Sequence, residues 1–98
     1  MPDVNVAFQV IPKAEGKDIY PIVDEAIKVV QESGVKHEVC PFETVMEGEL
    51  DQLLDIVKKA QEACIKAGAT DVFTNIKIQY SAHRSVTIDE KVCKYRKS

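Results

Sequence analysis

The stretch VKHEVCPFETVME, residues 35–47, decides the fold, because it sits between two helical segments and is broken by Pro41. Proline has no N–H to give to a sheet ladder. The run therefore reads as two short strands with a tight connection, Val35 to Pro41 and Phe42 to Glu47, or as one bent strand with a bulge. Taken as two strands, it places a β-β unit in the middle of the chain, and what lies on either side sets the architecture.

Upstream, Val4, Val6, Phe8 and Val10 alternate with Asn5, Ala7, Gln9 and Ile11 until Pro12, which is the period of a strand. The second face of that strand is mixed, so both sides of the sheet are expected to be covered. Asp18 offers an N-cap and Pro21 falls in the first turn of a helix. Ile19, Ile22, Val23, Ala26, Ile27 and Val30 form its apolar stripe, and Gly34 stops it. Downstream, Gly48 ends the strand, and Glu49 and Asp51 put negative charge at the start of a second helix, complementing its dipole. Leu50, Leu53, Leu54, Val57, Ala60 and Cys64 make its buried stripe, Ile56 widens it, and Gly68 closes it. Val72 to Tyr80 reads as a long strand with Val72, Thr74, Ile76, Ile78 and Tyr80 on one face and Phe73, Asn75, Lys77 and Gln79 on the other. Thr87-Ile-Asp-Glu90 is a capping box, and Ile88, Val92 and Tyr95 give a short C-terminal helix an apolar edge that something must bury.

The order β-α-β-β-α-β followed by one short helix predicts an α+β, ferredoxin-like βαββαβ sandwich: a four-stranded antiparallel sheet with two helices on one face. This fold hosts unrelated functions. Its informative part is the face away from the helices, where Ala7, Ile11, Val45 and Phe73 would form an apolar patch. Packing of that face between subunits is the expectation.

Ninety-eight residues, 45% hydrophobic and 30% charged, fit one folded domain spanning 1–98. No apolar run approaches the ~18 residues of a membrane span, so no membrane partner is expected. A net charge of −3 and a pI near 5.3 supply no cationic field for phosphate backbones, which argues against nucleic acid. Cys40, Cys64 and Cys93 are odd in number and widely spaced, which predicts neither a disulfide framework nor a zinc site, but buried or inert thiols. The opening Met1-Pro2-Asp3 lacks a signal-peptide plan, so cytoplasm is the expected compartment. His37 and His83 read as surface residues, and the basic tail Lys94 to Lys97 as a solvated end.

Several chemistries of this fold are missing their residues: no M-x-C-x-x-C for soft metals, no aromatic-rich run for RNA stacking, no Gly-rich phosphate loop. No metal or cofactor is expected. The acidic run Glu43, Glu47, Glu49, Asp51 is the densest functional feature. Dipole complementarity explains the last two. If Glu43, Val45 and Glu47 share the open face, Glu47 approaches Gln9 and Asn75 or Lys77, where a covered carboxylate needs partners. One reading is a salt bridge from Glu47 to Lys77 of another subunit. The other is a small polar pocket with apolar walls, suited to a flat heteroaromatic ligand.

The run Val4 to Pro12, the segment Glu43-Thr-Val-Met-Glu-Gly-Glu49 and Val72-Phe-Thr-Asn-Ile-Lys-Ile78 resemble the YkoF-like thiamine-binding proteins over nearly the whole chain, Ile88 to Val92 included. The resemblance implies a ferredoxin-like protomer in a homotetramer of two dimers, binding thiamine or its hydroxymethylpyrimidine part, with no established catalysis. It puts the family's T-x-x-E-G signature on Thr44, Glu47 and Gly48, with Thr44 and Glu47 near the ligand. A carboxylate suits an aminopyrimidine edge because it accepts from the amino group. Thr44 and Glu47 have opposite strand parity, so a bulge would be needed for both to face one pocket. Gln9, Asn75 and Lys77 join them from the face argument alone. The leading expectation is a non-enzymatic binder of thiamine or a related pyrimidine at a subunit interface, acting as carrier, buffer or sensor. The alternatives are a small-metabolite enzyme with Glu47 as general base, or a purely structural oligomerisation module.

Overall fold

Pro41 does separate two strands. In the computed structural model, which describes residues 3–96, the Cys40 N–H donates to the Glu43 carbonyl across the connection at 2.9 Å. The elements are β1 (Val4–Lys13), α1 (Tyr20–Ser33), β2 (Lys36–Val39), β3 (Thr44–Gly48), α2 (Leu50–Lys66), β4 (Asp71–Gln79) and α3 (Ile88–Val92), with a 3₁₀ turn over Cys93–Tyr95. All strand pairs are antiparallel in the order β2-β3-β1-β4, and both long helices lie on one face of the sheet. This is the ferredoxin-like βαββαβ arrangement.

The core is the helix-facing parity of β1 and β3. Val4, Val6, Phe8 and Met46 are buried against Ile22, Ala26 and Val30 of α1 and Leu53, Ile56, Val57, Ala60 and Cys64 of α2. Removing each Val, Leu, Ile, Phe or Met side chain among them from water contributes about 1.5–3 kcal/mol. Burial also raises the Cys64 thiol above its ordinary pKa, leaving it a small hydrophobe. Gly34 closes α1 with φ 80°, a backbone angle that favours glycine.

Several expectations are corrected. β1 does not stop at Pro12. It runs to Lys13, because Pro12 lies beyond the last β3 pair and opposite Val72, where only one neighbouring ladder is in use. The helix N-cap is Ile19 rather than Asp18, whose carboxylate instead accepts the Tyr20 N–H at 3.0 Å. The helix stripes are narrower than the periodicity suggests: Ile19 and Leu54 are exposed, while Val23 and Ile27 are half-buried. The C-terminal apolar edge buries Ile88 and half-buries Val92 but leaves Tyr95 in solvent, since the chain tightens to 3₁₀ after Val92 and rotates Tyr95 away. Of the three free thiols Cys64 is buried, Cys40 half-buried and Cys93 exposed. Among the described residues no disulfide forms, His83 is exposed in a loop, and the half-buried His37 holds its Nδ1 2.9 Å from the Val35 carbonyl. The basic tail is exposed through Arg96, and Lys97 lies outside the described residues.

The face of the sheet away from α1 and α2 divides in two. Near Asn5 and Glu47 it is covered by the chain's own C-terminal segment. Near Ile11 and Phe73, 44% and 66% exposed, it is open. Edge strand β4 adds Ile76 and Ile78, which share the parity of the core but extend past the helices and stay 43% and 48% exposed.

Candidate ligand-binding site

β3 pairs with β1 in an unbroken register from Gly48 opposite Val4 to Thr44 opposite Phe8. There is no bulge, so parity holds. Thr44 faces the helices and is 5% exposed, while Glu47 faces the other way. Within this chain the two signature residues do not meet.

Glu47 is committed to the C-terminal segment. One of its carboxylate oxygens accepts the Ile88 N–H at 2.6 Å, the first free donor of α3. Asn5, beside it, is 4% exposed and saturated: its amide donates to the Val86 carbonyl at 3.0 Å and its oxygen accepts from Lys91 Nζ at 2.6 Å. Asp89 bonds Lys36, and the Arg96 guanidinium bridges Asp89 and Glu38 at 2.8 and 2.5 Å. Lys36 first and Arg96 second hold the Asp89 carboxyl below its ordinary pKa. The Thr87 N–H and then Arg84 do the same for Glu90, whose contact with Thr87 completes the capping box. These polar contacts strap α3 to the sheet.

Within this chain Lys77 does not reach Glu47. It pairs with Glu43 at 3.0 Å, and one residue pair along, Asn75 donates to the Gln9 side-chain oxygen at 3.5 Å. Gln9, Asn75, Lys77 and Glu43 therefore gather on the open half of the outer face. Between them and α3 lies a pocket of about 320 Å³ floored by Ala7 and Val45. Its charged side chains are already paired, Glu43 with Lys77, Glu38 with Arg96 and Lys91 with Asn5.

A second cavity opens where β1 outruns β3. Beyond Phe8 the β3 side of β1 has no ladder partner, and the β2–β3 connection swings away. The resulting cleft holds about 350 Å³ between the Gln9–Val10 backbone, the Cys40–Thr44 segment and the first turns of α1. Val23 and Ile27 wall it, which explains their partial burial. Tyr20 and Phe42, 74% and 81% exposed, stand at its mouth, and Asp24 lies on its rim. Thr44 lines this space, and among the described residues its hydroxyl makes no hydrogen bond and is not sealed from solvent, while Asp24 has no ion-pair partner. A site with apolar walls and a few unpartnered polar groups is the usual build for a small ligand. A larger trough of about 550 Å³ between α1 and α2 is lined by solvated charges such as Glu32, Lys59 and Lys66 and contains no signature residue.

Thr44 and the Gln9 backbone thus line the cleft, the Gln9 side chain lies with Asn75, Lys77 and Glu43 on the outer face, and Glu47 lies at neither cavity. Sequence reasoning missed Tyr20, Asp24 and Phe42. Their signal was available: two aromatics and an acid outside any core stripe.

Among the described residues no group of three or more His, Cys, Asp or Glu side chains is placed to hold a metal ion, and no helix is long and apolar enough to cross a membrane.

Comparison with known proteins matches residues 6–96 to the model of a family described as thiamine-binding protein. A UPF0045 protein of Clostridium perfringens is 49% identical over 96 residues, covering 98% of this chain and all of the relative. A Bacillus cereus structure, a domain of unknown function, superposes with a TM-score of 0.93 at 58% identity, over 97% of this chain and 91% of its own. A Thermotoga maritima structure, assigned provisionally to thiamine biosynthesis or salvage, does so with a TM-score of 0.87 at 35% identity, over 97% of this chain and 100% of its own. With the family model covering all but the ends, this chain belongs to the thiamine-binding protein family.

Proposed function

We propose that this protein binds thiamine, or the hydroxymethylpyrimidine part of it, in the cleft between β1 and the β2–β3 connection, and that it acts as a cytoplasmic carrier, buffer or sensor rather than as an enzyme. The observation that supports this most is the Thr44 hydroxyl, which has no hydrogen-bond partner among the described residues and is open to the cleft that Phe8, Val23 and Ile27 also line, at the point where β1 loses its ladder. An aminopyrimidine presents donors and acceptors along one edge. The Thr44 hydroxyl and the unladdered β1 backbone at Gln9 and Val10 answer both kinds. Asn75 and Lys77 serve by fixing Gln9 and Glu43, and Glu47 by pinning α3 behind the sheet.

The binding unit is the single domain 1–98, assembled as a homotetramer of two dimers. A dimer of dimers needs two separate self-contacts. The chain offers two: the β4 edge with Ile76 and Ile78, and the outer face with Ile11 and Phe73. The exposed Tyr20 and Phe42 at the cleft mouth are apolar surface that a neighbouring copy would cover, which supports binding at a subunit interface.

Isothermal titration of thiamine and of hydroxymethylpyrimidine into protein of verified oligomeric mass tests the reading. Saturable binding with one site per chain, weakened in Thr44→Val, is expected. No heat of binding up to millimolar thiamine, with the assembly intact, would remove it.

A further inference from the structure

We infer that the cleft selects the unphosphorylated, cationic form of its ligand and discriminates against the mono- and diphosphate esters. This deepens the thiamine-binding reading and rests on it. Asp24 and Glu43 are the only charged residues lining the cleft among the described residues, and since the Glu43 carboxylate is paired with Lys77 at 3.0 Å, the free charge there is that of Asp24. Lys77, which touches Glu43, extends from the opposite face of the sheet and lines the other cavity. Asp24, with no ion-pair partner among the described residues, keeps its charge free to act on whatever occupies the cleft.

The mouth adds the second half of the argument. Tyr20 and Phe42 expose their rings on the two sides of the opening, one from α1 and one from the β2–β3 connection. Ring faces attract a delocalised cation such as a thiazolium and give nothing to a phosphate dianion. A phosphate ester needs positive donors, and binding sites for it are built from arginine, lysine or helix N-termini with free N–H groups. The nearest helix start is that of α1, where Asp18 already occupies the Tyr20 N–H and Pro21 has no N–H to offer. A phosphorylated ligand would bring its negative charge against Asp24 at a site that contributes no compensating cation.

The test is a titration series of thiamine, thiamine monophosphate, thiamine diphosphate and neutral hydroxymethylpyrimidine, repeated with Asp24→Asn and Asp24→Lys. Thiamine is expected to bind at least about tenfold more tightly than the diphosphate, a difference of about 1.4 kcal/mol, and more tightly than the neutral pyrimidine. Asp24→Asn should shrink the thiamine-to-diphosphate ratio threefold or more, and Asp24→Lys should bring the diphosphate level with thiamine. Asp24 is exposed on α1, and matching thermal melts will show that both variants fold. Diphosphate binding as tightly as thiamine, or an unchanged ratio in Asp24→Asn, overturns the selectivity while leaving the binding function in place. Failure of all four compounds overturns the binding function, and the selectivity with it.

Discussion

From Asn5 to Phe8, β1 is paired on both sides; from Gln9 to Lys13 it is paired only with β4. The amino-acid alternation does not change across that boundary, but the surroundings do. In the closed half, the helix-facing side chains are sealed under α1 and α2 and the outward Asn5 is saturated by the C-terminal segment. In the open half, the helix-facing Val10 is only half-buried, the outward Ile11 is exposed, and the cleft with its unpartnered Thr44 hydroxyl begins. One strand thus supplies the rigid support and, a few residues on, the accommodating surface. A site gains precision when it is carried by a strand whose other end is fixed in the core.

The largest effect should come from emptying the closed half. Met46, fully buried opposite Val6, should cost about 2–5 kcal/mol as Met46→Ala in urea unfolding. Val10→Ala, in the open half, should cost under about 1 kcal/mol, because burial there is partial. Equal losses at the two positions would erase the distinction between the halves.

Next in size is the outward pin of the closed half. Asn5→Ala strands the Val86 carbonyl and Lys91, and should lower stability by about 1–3 kcal/mol. Gln9→Ala, four residues along on the same face, has one long contact at 3.5 Å to lose and should change stability by less than about 0.5 kcal/mol. A costly Gln9 variant with a harmless Asn5 variant would reverse the assignment of support and surface.

Thr44→Val stands at the boundary itself and should separate folding from binding. The hydroxyl it removes has no partner among the described residues, so stability should hold or rise slightly. Loss of one ligand hydrogen bond should weaken thiamine roughly three- to tenfold, following the ~0.5–1.5 kcal/mol of a neutral bond. Full affinity in a folded Thr44→Val protein would move the ligand out of the cleft.

The smallest effect concerns the strap behind the closed half. Asp89 and Glu90 have folded-state pKa values held below their ordinary range, so their contribution is present above the unfolded pKa values and is lost as pH falls through the lowered ones. Amide exchange at Ile88 and in α3 should therefore accelerate below about pH 4 while the core of α2 stays protected. Protection of α3 that is unchanged down to about pH 2 would show that packing of Val86 and Ile88, rather than charge, holds the strap.

Much of this was legible in the chain. Period-2 and period-3.6 patterns located the strands and long helices, Pro41 divided the central hairpin, and the Thr87–Glu90 capping box marked the last helix. The reach of each element was not legible in the same way. Ile76 and Ile78 carry core parity yet stay exposed, because β4 extends past the helices that would cover them. Ile27 and Val23 carry the stripe of α1 yet line a cavity, because no strand lies opposite them.

The candidate site shows the same division. Parity in the sequence separated Thr44 from Glu47, and the unbroken β3 register keeps them on opposite faces. Only the tertiary structure decided what each one meets. Glu47 is 41 positions from Ile88 and Lys77 is 34 from Glu43, and no local pattern encodes which distant group a carboxylate will find. Local alternation determines the side of a sheet a residue occupies, since that depends on backbone geometry alone. Where a strand's neighbour ends, and hence where a cleft opens, depends on the packing of segments far apart in the chain, and that is settled only when the whole sheet assembles.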